Sequence, residues 1–199
     1  VATKKSVRER SPLGRVAIAA TATEMIRERG IEKLTMRAVA AQLGVSAMAL
    51  YHHVEDKDEL LRLVGDELLG QIDLPDPESG EWRDLFTYTV NASIDSLLSL
   101  PGLSSVVLTS KLLPNARRLL FFSIRQFERA GLDRDRAQEA YAGVQQLVLG
   151  HLLVHESANF QTAPTSHPDA DMSAYLMQLR SRKSFDHALA GLLDHYPPS

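Results

Sequence analysis

The sequence predicts an all-α protein, and three observations carry that prediction. No stretch of the 199 residues alternates apolar and polar side chains with period two, whereas apolar residues recur at helical spacing along most of the chain. Glycine and proline punctuate these stripes at Gly30, Gly44, Leu74 to Gly80, Pro101-Gly102, Pro114 and Gly131, where helices have to stop or start. Two of the stripes are short and flank a single glycine, the arrangement of two small helices crossing at a tight turn.

In chain order, residues 1–11 hold Lys4, Lys5, Arg8 and Arg10 among few apolar side chains. They can bury too little to offset the entropy of ordering, so the segment reads either as a plain disordered terminus or as a basic arm that reaches phosphates or a minor groove. From Pro12 a helix is expected with Val16, Ile18, Ala19, Ala22, Met25 and Ile26 as its stripe, stopping at Gly30. Thr35 can accept hydrogen bonds from the next turn and so caps a short helix whose face is Val39, Ala40 and Leu43. Gly44 follows where a left-handed residue ends a helix, and Ser46 caps a second helix from Ala47 to about His53. A small residue at the crossing (Ala40), a glycine in the turn (Gly44) and an aliphatic side chain docking the second helix (Leu50) have helix-turn-helix spacing.

Asp56 is the expected N-cap of a fourth helix through Ile72, striped by Leu60, Leu61, Leu63, Val64, Leu68 and Leu69. Lys57 lies in its first turn, where unpaired N–H groups and the positive end of the helix dipole suit a phosphate. The break from Leu74 to Gly80 separates two modules. Beyond it, helices are expected at about 81–100, 103–113, 115–130 and 133–157, with one or two more within 172–195. A long loop from Asn159 to Asp171 is expected between them. The predicted organisation is a three-helix domain at 1–55 with its helix-turn-helix at 35–53, a connecting helix at 56–73, and a larger helical domain at 81–199.

Composition narrows the class of protein. The hydrophobic fraction of 44% is that of an ordinary soluble globular chain, and cysteine is absent, which excludes disulfides and thiolate metal sites. No apolar run approaches the roughly 20 residues of a membrane span, and no apolar signal core follows the basic start, so a cytoplasmic protein without a membrane partner is expected. The net charge of −3 conceals an asymmetry: residues 1–57 carry +4 and residues 58–199 carry −7. A basic module on an acidic body suits docking of one end on phosphates.

The run Leu50-Tyr51-His52-His53-Val54, followed by two acids, Lys57 and Leu60-Leu61, resembles the recognition-helix signature of the tetracycline-repressor (TetR) family. Upstream, Ala19-Ala20 through Gly30 and Leu34-Thr35-Met36-Arg37 extend the resemblance, which covers roughly residues 13 to 70. Trp82, Gly131, Val148-Leu149-Gly150 and Phe185 to Leu193 look most similar to the tetracycline-binding subgroup. The resemblance implies a homodimeric repressor that binds a palindromic double-stranded DNA operator and is released by a small-molecule effector. It further implies that Arg37, Ala47, Met48 and Ala49 face base edges while Thr35, Tyr51, His53 and Lys57 hold phosphates. Ala47-Met48-Ala49 can make only apolar contacts, for example to thymine methyls.

In the second module Trp82, Phe86, Thr89 and Ser93 share one helix face, and Phe121, Phe122, Gln126 and Phe127 cluster on another. Such stripes are usually core, yet apolar surface with a few hydroxyls and amides is also what an effector pocket needs. Phe86, Thr89, Phe122 and Gln146 are the expected lining residues. Where tetracycline-binding members hold magnesium with a histidine, the matching position here is Val106 or Val107, and valine cannot ligate magnesium. No cofactor or metal is expected. His151 and His155, one helical turn apart, are two ligands without an identifiable third. The chain has no phosphate loop, nucleophile elbow or H-E-x-x-H, so catalysis has no specific support, and an all-α carrier or metal-dependent enzyme without DNA binding stands as the alternative. Ala137, Ala140, Tyr141, Val144, Leu147, Val148 and Leu152, with Gly143 and Gly150, form the face expected to pair with a second copy.

Overall fold

A computed structural model describes residues 14–108, 113–157 and 170–196, whose regular structure is helical, and divides into two compact units between Val64 and Gly65. The expected basic arm and the expected start at Pro12 lie outside the described residues. So does the expected loop, apart from Ala170 and Asp171, which instead form the first turn of a helix.

The first unit begins with α1 (Arg15–Arg29), which buries Ile18, Ala19, Ala22, Thr23, Met25 and Ile26. Val16, expected in that stripe, is 66% exposed because it lies off the face that packs, which begins at Ile18. Gly30 adopts a φ of 82° and its N–H returns to Ile26, after which Ile31–Lys33 form one 3₁₀ turn. Helix α2 (Met36–Leu43) starts where Thr35 Oγ1 accepts from the Ala38 N–H at 3.2 Å. It ends at Gly44, whose φ of 67° is the left-handed conformation in which a Cβ would be strained. Ser46 Oγ then accepts from the Ala49 N–H at 3.1 Å and starts α3 (Ala47–Tyr51). This helix is shorter than expected, since His52 and His53 lie in a turn. Leu50, Val39, Ala40, Leu34 and Ile18 are at most 2% exposed and form the core that fixes α3 against α1 and α2.

Helix α4 (Lys57–Gly70) runs across the division between the units. Asp56 Oδ1 caps it, accepting from the Glu59 N–H at 2.7 Å, while Glu59 Oε2 accepts from the Glu55 N–H at 2.5 Å. Arg15 spans to this start, donating to His53 O at 2.6 Å and pairing with Glu59 at 3.2 Å. Both ends of the recognition element are therefore capped by side chains of the same small unit.

The second unit contains α5 (Trp82–Leu98), α6 (Ser104–Leu108), α7 (Pro114–Arg129), α8 (Arg134–Glu156), α9 (Ala170–Arg180) and α10 (Arg182–Leu193). Pro114 occupies the first position of α7, where its missing N–H costs nothing. Phe127 sits at the centre of the aromatic core, with ring centroids 5.9 Å from Trp82, 4.7 Å from Phe86 and 5.2 Å from Tyr196. The boundary segment is held by Arg129, which donates to Pro77 O at 2.8 Å and Gly80 O at 2.9 Å. Asp66, buried on α4, accepts from the Asn115 N–H at 2.8 Å and so caps α7, while Asn115 Nδ2 returns to Asp66 O at 3.0 Å. Glu156 Oε1 accepts from the N–H groups of Gly102 and Ser104, each at 3.1 Å, and orders the start of α6.

Much of the face of α8 expected to meet a second copy is used inside the unit. Ala137, Ala140, Val144, Val148 and Leu152 are at most 6% exposed. Beyond its charged first turns, α8 leaves Ala142, Gln146, Gly150 and Leu153 exposed, and α10 leaves Ala188 and Gly191 exposed, Ala188 lying close to Gln146 and Gly150.

Candidate functional site

The helix-turn-helix presents the sequence-predicted DNA residues on α2, α3 and the turn after them. Arg37 and Thr35 are exposed, and because Thr35 Oγ1 is an acceptor at the cap, its hydroxyl proton is available to donate outward. On α3, Met48 is 69% and Tyr51 48% exposed, large side chains held out by the docking of Leu50. Ala47 and Ala49 are half-buried. His53 is half-buried too, and its carbonyl is taken by Arg15. Lys57 is more constrained than the sequence suggests: its ammonium donates to Ile31 O at 2.9 Å, bracing the 3₁₀ turn. Two of its three N–H bonds remain for another acceptor.

A cavity of about 200 Å³ lies within the second unit, among α4, α5, α6, α7 and α8. Leu69, Val90, Leu97, Val107, Leu119 and Val148 give it an apolar wall, into which Thr89, Ser93, Ser123, Tyr141 and Gln145 set polar atoms. Of the four lining residues expected, Thr89 is there. Phe86 instead packs on Phe127 and is fully buried; Phe122, 7% exposed, likewise belongs to the core. Gln146 points away, because a neighbouring position on a helix is turned by about 100°, and Gln145 takes its place. Tyr141 and Ser123 were not foreseen. Their signal was the i, i+4 pairing of Tyr141 with Gln145 on the same face as Val148, which reads equally well as a packing stripe. Val107, one of the two positions expected to match a magnesium ligand in tetracycline-binding members, is part of the apolar wall.

Gln145 Nε2 donates to the Tyr141 hydroxyl at 2.5 Å, and burial pushes that phenol up to about 12 against the weaker opposing effect of its hydrogen bonds with Gln145 and Ser123. Thr89 Oγ1 donates to Leu85 O at 2.9 Å and Ser93 Oγ to Thr89 O at 2.7 Å. Outside the cavity, His151 is buried against Phe185 and His155 with centroid distances of 4.6 and 4.7 Å. Burial first, then the neighbouring His155 and Arg182, lower its pKa to about 4 against the opposing Asp186. His155 Nε2 meets Arg180 O at 3.0 Å, and among the described residues no group of three potential ligands could hold a metal.

Residues 18–64 match the profile described as bacterial regulatory proteins, tetR family. Over 189 residues the chain is 29% identical to an HTH-type transcriptional regulator of Saccharopolyspora erythraea, spanning 94% of this chain and 78% of that protein. Its fold is similar to that of the Streptomyces coelicolor TetR family protein ActR in complex with (S)-DNPA, with a TM-score of 0.72 at 24% identity over 93% of this chain and 99% of that one. It is similar also to BioQ with its natural double-stranded DNA operator, with a TM-score of 0.65 at 25% identity over 92% and 97% of the two chains.

A solvent-facing α3 docked by Leu50, together with these likenesses, defines a helix-turn-helix transcriptional regulator, a DNA-binding protein rather than an enzyme or carrier. Residues 18–64 match the tetR-family model, and the chain as a whole is similar to HTH-type transcriptional regulators. The relatives are not specifically of the tetracycline-binding subgroup, so the finer likeness gives way to a likeness to TetR-family regulators at large. No helix among the described residues is long and apolar enough to cross a membrane.

Proposed function

We propose that this regulator is a cytoplasmic repressor that binds a palindromic operator as a homodimer and releases it when a small molecule occupies the cavity of the second unit. The observation that carries the reading is the cavity itself: about 200 Å³, largely apolar and provided with a few hydroxyls and amides, in a chain whose other unit is a helix-turn-helix. ActR holding (S)-DNPA and BioQ holding an operator support the two halves of it. Arg37, Ala47, Met48 and Ala49 read bases; Thr35, Tyr51, His53 and Lys57 hold phosphates. The domains of the expected organisation take these roles, 1–55 on DNA, 56–73 as connection, and 81–199 for effector and dimer.

Dimerisation through α8 and α10 is supported by their exposed small residues. A methyl added at Gly143, Gly150 or Gly191 would meet nothing within 4 Å, which leaves room for a partner backbone to approach. Selection of bound DNA from a random pool tests the reading. The expected product is a palindrome whose half-sites lie about 34–36 Å apart or a multiple of that. A pool that stays unenriched, or enriches a lone half-site, refutes the dimeric operator.

A further inference from the structure

The polar atoms of the cavity can be sorted into donors and acceptors one by one. The Tyr141 oxygen accepts from Gln145 Nε2 at 2.5 Å. With that oxygen already accepting, the phenol has its own proton to offer an occupant. On α5 the situation is reversed. The hydroxyl protons of Thr89 and Ser93 are spent on the carbonyls of Leu85 and Thr89, so that side of the cavity offers only oxygen lone pairs. The cavity thus offers the Tyr141 phenol proton beside the Gln145 amide on α8, a pair of acceptors on α5, and apolar surface between.

We propose that the occupant is an uncharged, fragment-sized hydroxy-carbonyl compound, its carbonyl oxygen accepting from Tyr141 and its hydroxyl donating to Thr89 and Ser93. An anion fits poorly, because the surroundings that hold the phenol neutral far above its ordinary range would desolvate a carboxylate in the same way. A cation has the phenol donor against it. Size follows from volume: about 200 Å³ is below the roughly 300–1,000 Å³ of sites for drug-sized ligands. This deepens the effector reading above and rests on it only for what binding does to DNA.

Four probes separate the contributions: para-hydroxyacetophenone, acetophenone without the hydroxyl, para-ethylphenol without the carbonyl, and para-hydroxybenzoate with a carboxylate instead. Titration calorimetry is run on the full chain without DNA, for wild type, Tyr141→Phe and the double variant Thr89→Val/Ser93→Ala. Para-hydroxyacetophenone is expected to bind tightest to wild type. Removing the carbonyl or the Tyr141 hydroxyl is expected to weaken binding about tenfold each, and both together no more than either alone. In the α5 variant the preference for para-hydroxyacetophenone over acetophenone should vanish, which keeps the test sharp even if Tyr141→Phe does not fold. Tighter binding of para-hydroxybenzoate, equal binding of para-ethylphenol, or no saturable binding of para-hydroxyacetophenone overturns the proposal. Because the readout uses protein alone, a failed operator selection faults the regulatory reading and leaves these ratios standing.

Discussion

At the scale of single residues, Lys57 and Arg37 separate positioning from reading. The Lys57 ammonium braces Ile31 O from the first turn of α4, which leaves two donors near a helix N-terminus, where a phosphate is favoured. Lys57→Ala should weaken binding to all sequences alike and lower the salt slope by about one unit per subunit. It should also cost about 1 kcal/mol of stability as Ile31 O loses its partner. Tyr51→Phe should follow it in affinity without the stability loss. Arg37→Ala should instead cost roughly 1–3 kcal/mol and relax one base position, and a uniform loss over all operator variants, measured by competition binding, would remove it from base reading. What could be read from sequence at this scale was local: Thr35, Ser46 and Asp56 are caps and Gly44 is left-handed because each acts on its own next turn. Cavity residues were legible only in part. Thr89 and Phe86 differ by three positions on one helix, and which of them faces the void depends on where α7 and α8 pass, which a single strand of sequence does not contain.

At the scale of elements, two packing relations carry stability that can be measured. Gly65 on α4 and Gly70 at its end are close-packing positions. A methyl at Gly65 would overlap Val107 Cγ2, and one at Gly70 would lie 2.7 Å from Asn115 Nδ2. Valine is stiff at χ1 and cannot swing aside, so Gly65→Ala should destabilise the fold by about 1–3 kcal/mol despite its better helix propensity, and Val107→Ala in the same chain should recover part of the loss. Denaturant midpoints of the two single variants and the double variant check this; strict additivity would deny the contact. The second relation is His151 on α8, 6% exposed against Phe185 of α10, with Nε2 lacking a partner. Its pKa falls to about 4 from an ordinary 6.5, so the folded chain resists the proton that the unfolded chain accepts. Stability is therefore complete above pH 6.5 and declines as pH falls through about 4, by up to ~3 kcal/mol from this one group. His151→Phe should be nearly neutral at pH 7 and flatten that decline relative to wild type in urea melts at both pH values. Helix existence was legible because the 3.6-residue period and the Gly and Pro punctuation are strong here. The face of α8 was not, since an apolar stripe that packs on α7 and one that awaits a partner look the same until the neighbours are in place.

At the scale of the whole molecule, the positive balance of residues 1–57 and the negative balance of the remainder direct phosphate toward one end of the chain. One such end binds weakly by itself. Two held together on one duplex bind as a chelate, where the second half-site is reached at high effective concentration and gains a factor of about 10²–10⁴ without any new contact. Operator affinity should therefore depend on residues that never approach DNA, those of the proposed interface on α8 and α10. Gly150 and Gly191 are the discriminating positions, because each is exposed and a methyl there meets nothing of its own chain within 4 Å. Gly150→Phe and Gly191→Phe add bulk that the folded subunit tolerates, and replacing a helical glycine even favours the helix by up to about 1 kcal/mol. Bulk in the space a partner helix would occupy should, by contrast, separate the subunits. Sedimentation equilibrium at micromolar concentration is expected to give a dimer for wild type and a monomer for each variant, with helical circular dichroism retained. Affinity for the full palindrome should fall by about 10²–10⁴ while affinity for a single half-site stays level. A wild-type monomer, or variants that remain dimeric and bind the palindrome normally, would place the interface elsewhere and return these glycines to the open surface.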